Sequence, residues 1–296
     1  MKLGVITDGI SRDLPHALSV MDEVDLHWAE LQFIGDREVG DLTPEEQRAT
    51  LNLLRDHGKS VACLSRHIFA GMVVADCQPF DALHQKHLDA LKRVIAMADL
   101  FDCKTVRIMT PKKEMILWGA HGAEKWNVAR GAWDATLPLI APAVEIARDA
   151  GVQLVVETGN GTMVNSCHTA RRLIDDLSAK DTLKVLWDPA NNCWCGETAF
   201  PDGYAELKDG YIGHIHIKDV FADPPRARLE TRQMLDGQLA DQFDGIADAL
   251  CADGYDGVVS YESVFHFGDD DFERGFRASF PDFARIFGKT PDAHPE

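Results

Sequence analysis

Short runs of β-branched and aliphatic residues recur along the chain, and each is followed by a stretch whose apolar positions repeat at helical spacing. That alternation predicts parallel strands joined by helical crossovers. Eight strands are expected, over residues 2–7, 27–33, 59–65, 103–109, 152–157, 183–188, 211–217 and 256–262. Thr43-Pro44-Glu45-Glu46 supplies an N-cap, a proline in the first turn and early acids, and Asp81 opens a periodic run through Ala98. Both are helix starts. Gly58, Gly151, Gly254 and Gly257 punctuate the returns to the sheet. No linker rich in Pro, Gly or Ser divides the chain, so residues 1–296 are read as one α/β domain, a (β/α)8 TIM barrel. Two connections are too long for turns, 109–128 after the fourth strand and 219–238 after the seventh. Both belong at the C-terminal mouth of such a barrel, where active sites are built, as lids or substrate walls.

Residues of a barrel strand alternate between the interior and the helical layer, so the apolar set of each strand gives its phase. Ala29 and Leu31 face the helices and turn Glu30 and Gln32 inward; Val106 and Ile108 do the same for Arg107. Leu154 and Val156 leave Val155 and Glu157 inside, and Val185 and Trp187 leave Leu186 and Asp188 inside. Ile215 and Ile217 turn His214, His216 and Lys218 inward, while Val259 and Tyr261 leave Ser260 and Glu262 there. The polar inward residues stand at the C-terminal ends of their strands, so they converge on one mouth. Ionised groups gathered without partners are costly, and a bound cation would remove that cost.

Three carboxylates and an imidazole on strands five to eight, Glu157, Asp188, His216 and Glu262, form a hard oxygen and nitrogen donor set. It suits one divalent ion, Mn²⁺ first, with Mg²⁺, Co²⁺ or Zn²⁺ also fitting. His216 is chosen over His214 because it lies level with the carboxylates; His214 is expected one layer deeper. Arg107, Lys218, Asn191, His67 and Gln32 are the expected substrate-binding residues, with Glu30 beside them. Arg107 has an inward acid as its alternative partner, and Lys218 has Asp219 or Glu30. Trp118 and His121 are expected lid contacts, and Trp28, Trp126 and Trp133 packing residues.

Composition narrows the partners. The chain has 30 Lys and Arg against 48 Asp and Glu, a formal charge of −18. That charge repels phosphate backbones and anionic lipid, so neither nucleic acid nor a membrane is expected as a partner. No stretch approaches the roughly 18 apolar residues of a membrane span, and the first residues are too short an apolar run for a signal peptide. Seven scattered cysteines, several in apolar runs, read as buried thiols in a reducing, cytoplasmic compartment. Cys193-Trp194-Cys195 lacks a second pair at zinc-site spacing and is left unassigned.

Four segments, Val155-Val156-Glu157-Thr158, Leu186-Trp187-Asp188-Pro189-Ala190-Asn191, His214-Ile215-His216-Ile217-Lys218-Asp219 and Ser260-Tyr261-Glu262-Ser263, occur in that order. Together they resemble the xylose isomerase-like barrels, whose members include ketose 3-epimerases, inosose dehydratase and isomerase, hydroxypyruvate isomerase and apurinic endonuclease. In the epimerase branch the matching residues bind one metal and the two glutamates exchange the substrate proton. The resemblance therefore implies a dual role for Glu157 and Glu262, and a homo-oligomer. Asn191 stands where epimerases carry a substrate-touching histidine, and only Arg226 or Arg228 could replace their arginine after strand seven. These departures bear on the substrate and leave the metal set intact.

The function expected is a divalent-metal-dependent isomerase or epimerase acting on a sugar, keto-sugar or polyol derivative through an enediolate, with Glu157 and Glu262 as the catalytic pair. The alternative is a metal-dependent lyase or dehydratase expelling a β leaving group from the same enediolate. A non-catalytic sugar-binding barrel would not need paired bases. An apurinic endonuclease would need more metal ligands and a basic surface.

Overall fold

The computed structural model describes residues 1–113, 131–226 and 228–289. Eight parallel strands close into a barrel: β1 (Lys2–Ile6), β2 (Trp28–Leu31), β5 (Ser60–Ser65), β6 (Thr105–Ile108), β7 (Gln153–Glu157), β8 (Leu183–Trp187), β9 (Ile212–Ile217) and β12 (Val258–Tyr261). Each lies within a segment expected from the sequence. The spatial order follows the chain around the barrel, and β1 pairs with both β2 and β12 to close it.

The helices follow from local chemistry. Thr43 caps α2 (Pro44–Asp56) in a capping box: its hydroxyl accepts from Glu46 N–H, and the Glu46 carboxylate accepts from Thr43 N–H. Asp81 caps α3 (Ala82–Leu100) by accepting from His84 N–H at 2.7 Å. The remaining helices are α1 (Leu14–Glu23), α4 (Ala132–Ala150), α5 (Cys167–Asp176), α6 (Pro189–Trp194), α7 (Tyr204–Leu207), α8 (Phe243–Ala252) and α9 (Phe272–Phe287). Among the described residues, no helix is long and apolar enough to cross a membrane.

The core has two parts, as strand alternation requires. Ala29, Leu31, Val106, Ile108, Leu154, Val156, Val185, Trp187, Ile215, Ile217, Val259 and Tyr261 belong to the large cluster between strands and helices. Cys63, Val155 and Leu186 form a separate cluster inside the barrel, and the polar groups stand above it.

Two antiparallel hairpins were not expected. β3 (Phe33–Ile34) pairs with β4 (Arg37–Glu38) after the second barrel strand, and β10 (Asp219–Asp223) pairs with β11 (Arg228–Arg232) after the seventh. The second lies within the 219–238 connection. Its base is set by Asp219, whose carboxylate accepts from the N–H groups of Val220, Gly237 and Leu239 at 2.9, 2.9 and 3.1 Å. Gly237 must be glycine there, because a Cβ would come 2.1 Å from Asp219 Oδ1. The other long connection, 109–128, falls largely outside the described residues, as do Trp118, His121 and Trp126.

The cysteines are free thiols, but they are not uniformly buried. Cys63, Cys77, Cys103 and Cys167 are enclosed, Cys193 and Cys251 are half-buried, and Cys195 is exposed. Cys195 lies just past the short α6, as its C-cap.

Candidate active site

Strand register brings the four acid and imidazole side chains to one level. Leu186 pairs with His214, so two residues further on Asp188 comes beside His216. Ser260 pairs with His216, so Glu262 follows at the next inward position of its strand. Glu157 ends β7 opposite Leu186. One donor atom from each of Glu157, Asp188, His216 and Glu262 can be chosen so that all lie within 4.8 Å of one another.

The side chains of His216 and Asp188 are 0% exposed, that of Glu157 is 7% and that of Glu262 is 21%. Glu262 is thus the member that opens outward, and it lines a cavity of 570 Å³ at the mouth.

Each group is held by partners of its own. His216 Nε2 lies 2.8 Å from Glu30 Oε1, and because a carboxylate only accepts, Nε2 carries the proton. His214 Nε2 makes the matching contact with Glu30 Oε2 at 2.7 Å and lies 3.2 Å from Ser260 Oγ, one layer deeper as expected. Burial alone would raise the Glu30 carboxyl, but the two imidazoles outweigh it and hold it well below the ordinary range.

That arrangement points His216 Nδ1 at the acids with no hydrogen-bond partner, 3.6 Å from Glu262 Oε2 and 3.9 Å from Glu157 Oε1. A buried ring nitrogen without a partner, beside three carboxylates and oriented by a carboxylate behind it, is what a divalent ion requires of its imidazole ligand. The donor set therefore fits a metal.

Arg107 donates to Glu157 Oε2 at 2.9 Å and to the Ser65 carbonyl at 3.3 Å, so it pairs with an inward acid. Asn191 donates to the other oxygen of Glu157 at 3.2 Å. It can do so because Asp188 Oδ1 caps the start of α6, accepting from Ala190 and Asn191 N–H at 3.0 and 3.1 Å.

Lys218 departs from expectation. Asp219 is spent on the hairpin base and Glu30 on the histidines. The Lys218 ammonium instead donates to Asp188 Oδ2 and Glu262 Oε2, at 2.5 Å each. Burial would lower its pKa, but Asp188 and Glu262 drive it upward. Burial raises the Asp188 carboxyl to about 6. The Glu262 carboxyl, also pushed up by burial, is brought below its ordinary value by Lys218 and His216.

Gln32 lines the same cavity as Glu262. His67 is held aside: its Nδ1 lies 2.7 Å from Glu38 Oε1 and its ring packs at 6.0 Å from Phe33, which ties it to the β3–β4 hairpin. Arg226 and Arg228 do not reach in. They pair with Asp223 and Glu230 on the β10–β11 hairpin, and Arg226 is 79% exposed.

The sequence reading passed over Asp8, which lines the cavity with Glu262. The signal was available: Val5 packs outward, so Gly4 and Ile6 face inward and the alternation carries on to Asp8 just past the strand.

A closed parallel barrel with an acid and imidazole cluster at its C-terminal mouth defines a class of metal-compatible barrels. Within that class the chain belongs to the xylose isomerase-like TIM barrel family, whose profile matches residues 18–278. No curated protein sequence matches it. Solved structures share the fold at low identity. A D-psicose 3-epimerase from Clostridium cellulolyticum H10, crystallised with D-tagatose, is 13% identical with a TM-score of 0.69, over 97% of this chain and 99% of that one. A probable 3-DHS dehydratase from Bacillus anthracis is 15% identical with a TM-score of 0.70, over 94% and 98%. A xylose isomerase-like protein from Mycobacterium smegmatis in complex with magnesium is 18% identical with a TM-score of 0.65, over 93% and 88%.

Proposed function

We propose that the protein is a divalent-metal-dependent isomerase or epimerase of a sugar, keto-sugar or polyol derivative. The observation that carries this reading is the unpartnered His216 Nδ1 among Glu157, Asp188 and Glu262, with Glu262 opening into the mouth cavity. Those four residues would hold the ion, Mn²⁺ first, although Mg²⁺ is the metal named for the Mycobacterium smegmatis protein. When bound, the metal supplies Lewis-acid polarisation of the substrate carbonyl.

The protein's own groups do the rest. Glu157 and Glu262 are the two bases: one removes the proton α to the carbonyl and the other returns it. Return to the opposite face of the same carbon gives epimerisation; return to the former carbonyl carbon, with the neighbouring hydroxyl proton passing to the former carbonyl oxygen, gives isomerisation. Arg107 and Asn191 fix the Glu157 carboxylate from both oxygens, which limits the directions in which it can accept a proton. Lys218 sets its charge beside Asp188 and Glu262, where it would help to stabilise negative charge developing on the substrate.

Dehydration is the second reading, because Lys218 is a donor within the cluster that could meet a leaving hydroxyl. Its ammonium is held by Asp188 and Glu262, and the two carboxylates Glu157 and Glu262 supply a base for removal and an acid for return of the proton, so epimerisation or isomerisation is preferred. A keto-sugar panel in D₂O with the metal-loaded protein tests the proposal. The expected outcome is deuterium at the carbon next to the carbonyl with no loss of water from the product mass. Glu262→Gln should lower that exchange by at least about 100-fold while the circular dichroism is kept. Undiminished exchange in the variant removes the assignment of Glu262, and a product lighter by one water selects the lyase.

A further inference from the structure

We propose that Asp8 is a specificity-determining residue of this site, taking hydroxyl hydrogen bonds from the substrate and selecting an uncharged polyhydroxylated chain over its phosphate ester. The inference rests on the reading of the mouth as a sugar site.

Asp8 sits in the short turn Thr7–Gly9 that follows β1. Gly9 packs against Ser263 so closely that a Cβ would come 2.9 Å from the Ser263 carbonyl oxygen. This contact sets the end of the first strand beside the residue that follows Glu262, and both acids line the 570 Å³ cavity. That volume is within the range of about 300–1,000 Å³ usual for small-molecule pockets.

The Asp8 carboxylate is directed by a backbone donor rather than ion-paired. Its Oδ1 accepts from Phe33 N–H at 3.2 Å, and it has no ion-pair partner among the described residues. The nearby Arg12 guanidinium lies over the Phe33 ring at 4.7 Å. His16, the other basic group of the cavity, is 2.6 Å from Glu273 Oε2. Carboxylates therefore dominate the described wall, with Asp8, Glu262, Asp270, Asp271 and Glu273 facing Arg12 and His16. Burial raises the Asp8 carboxyl, and the Phe33 N–H, its own backbone N–H and the more distant Arg12 and Arg107 charges oppose that shift.

An ionised carboxylate accepts strongly from a sugar hydroxyl, whereas a phosphate dianion brought beside it in a partly enclosed cavity is repelled. Phe272, 37% exposed on the same wall, offers an apolar face to the C–H side of a sugar.

The test titrates the Mn²⁺-loaded protein by calorimetry with D-fructose, D-tagatose and D-psicose and with their 6-phosphates, in wild type and in Asp8→Asn. Asparagine keeps an Oδ1 acceptor for Phe33, so unchanged thermal unfolding confirms that the fold is kept. The wild type should bind at least one free sugar roughly 10-fold or more tightly than its phosphate, and the variant should lower that ratio by about threefold or more, a smaller change counting as unchanged. Three results each overturn the proposal: phosphates bound as tightly as free sugars in the wild type, free sugars not bound, or a ratio unchanged in the variant. Deuterium uptake in the same samples separates the two readings. Exchange with an unchanged ratio removes Asp8 alone, while discrimination without exchange removes the reaction and leaves the pocket.

Discussion

Glu30 lies fully buried between two imidazoles, one above the other, and its two oxygens decide which nitrogen of each ring is protonated. For His216 this leaves Nδ1 free to face the acids. Replacing the carboxylate by an amide removes a charge-assisted acceptor and allows the ring to turn. Glu30→Gln should therefore weaken Mn²⁺ binding by about 10- to 100-fold. Competition with a chromogenic chelator measures this, and an affinity within twofold of wild type would show that the ring is oriented without Glu30. Inward polarity marked Glu30, Arg107 and the four acid and imidazole residues in the sequence, because an ionisable residue in an otherwise apolar strand has few places to go. The partner of Lys218 was not legible. Asp219 is adjacent in sequence but is bound to three backbone N–H groups, whereas Asp188 and Glu262 are supplied by other strands.

Among the elements, strands were legible where a phase-two pattern meets helices on one side only. Val155 and Leu186 break the polar run of the interior, and the structure places them with Cys63 as the packed floor beneath the site. Leu186→Ala would leave a cavity there, and the expected cost is about 2–5 kcal/mol. Urea denaturation should show a lower midpoint at unchanged slope. A loss below about 1 kcal/mol would mean that the floor collapses to fill the gap. The two hairpins were missed for a physical reason. β3 and β4 are two residues each, too short for alternation to register, and the turn at Gly35, with φ of 57°, is their one local mark. β10 begins at Asp219, one residue past Lys218, so its polar start reads as loop.

At the scale of the whole molecule, closing the barrel collects buried negative charge at one rim, and folding and metal binding are linked there. Burial lowers the His216 pKa, but Glu30, with Glu157 and Glu262, raises it to about 9. Below that pH the imidazolium must lose its proton before it can ligate, so metal binding weakens as pH falls, by up to tenfold per unit for one proton. A ligand held only by the folded state stabilises it by about 2.7 kcal/mol at 100 times its Kd. Mn²⁺ should accordingly raise the melting temperature, and by more at pH 8 than at pH 6.5. Differential scanning calorimetry at fixed metal concentration checks this; an equal or larger rise at the lower pH contradicts the proton linkage.

The sequence alone determined the number and order of the barrel strands, the phase of the strands that carry the polar residues, and hence which side chains reach the interior. Those properties follow from periodicity and from the cost of misplaced polar groups, both of which act within one segment. The tertiary structure decided the pairings between segments: Lys218 with Asp188 and Glu262, Glu30 with both histidines, His67 with the hairpin, and Asp8 beside Glu262. These depend on the register between strands and on the loops that cross the mouth, and no local pattern in a single chain carries that information.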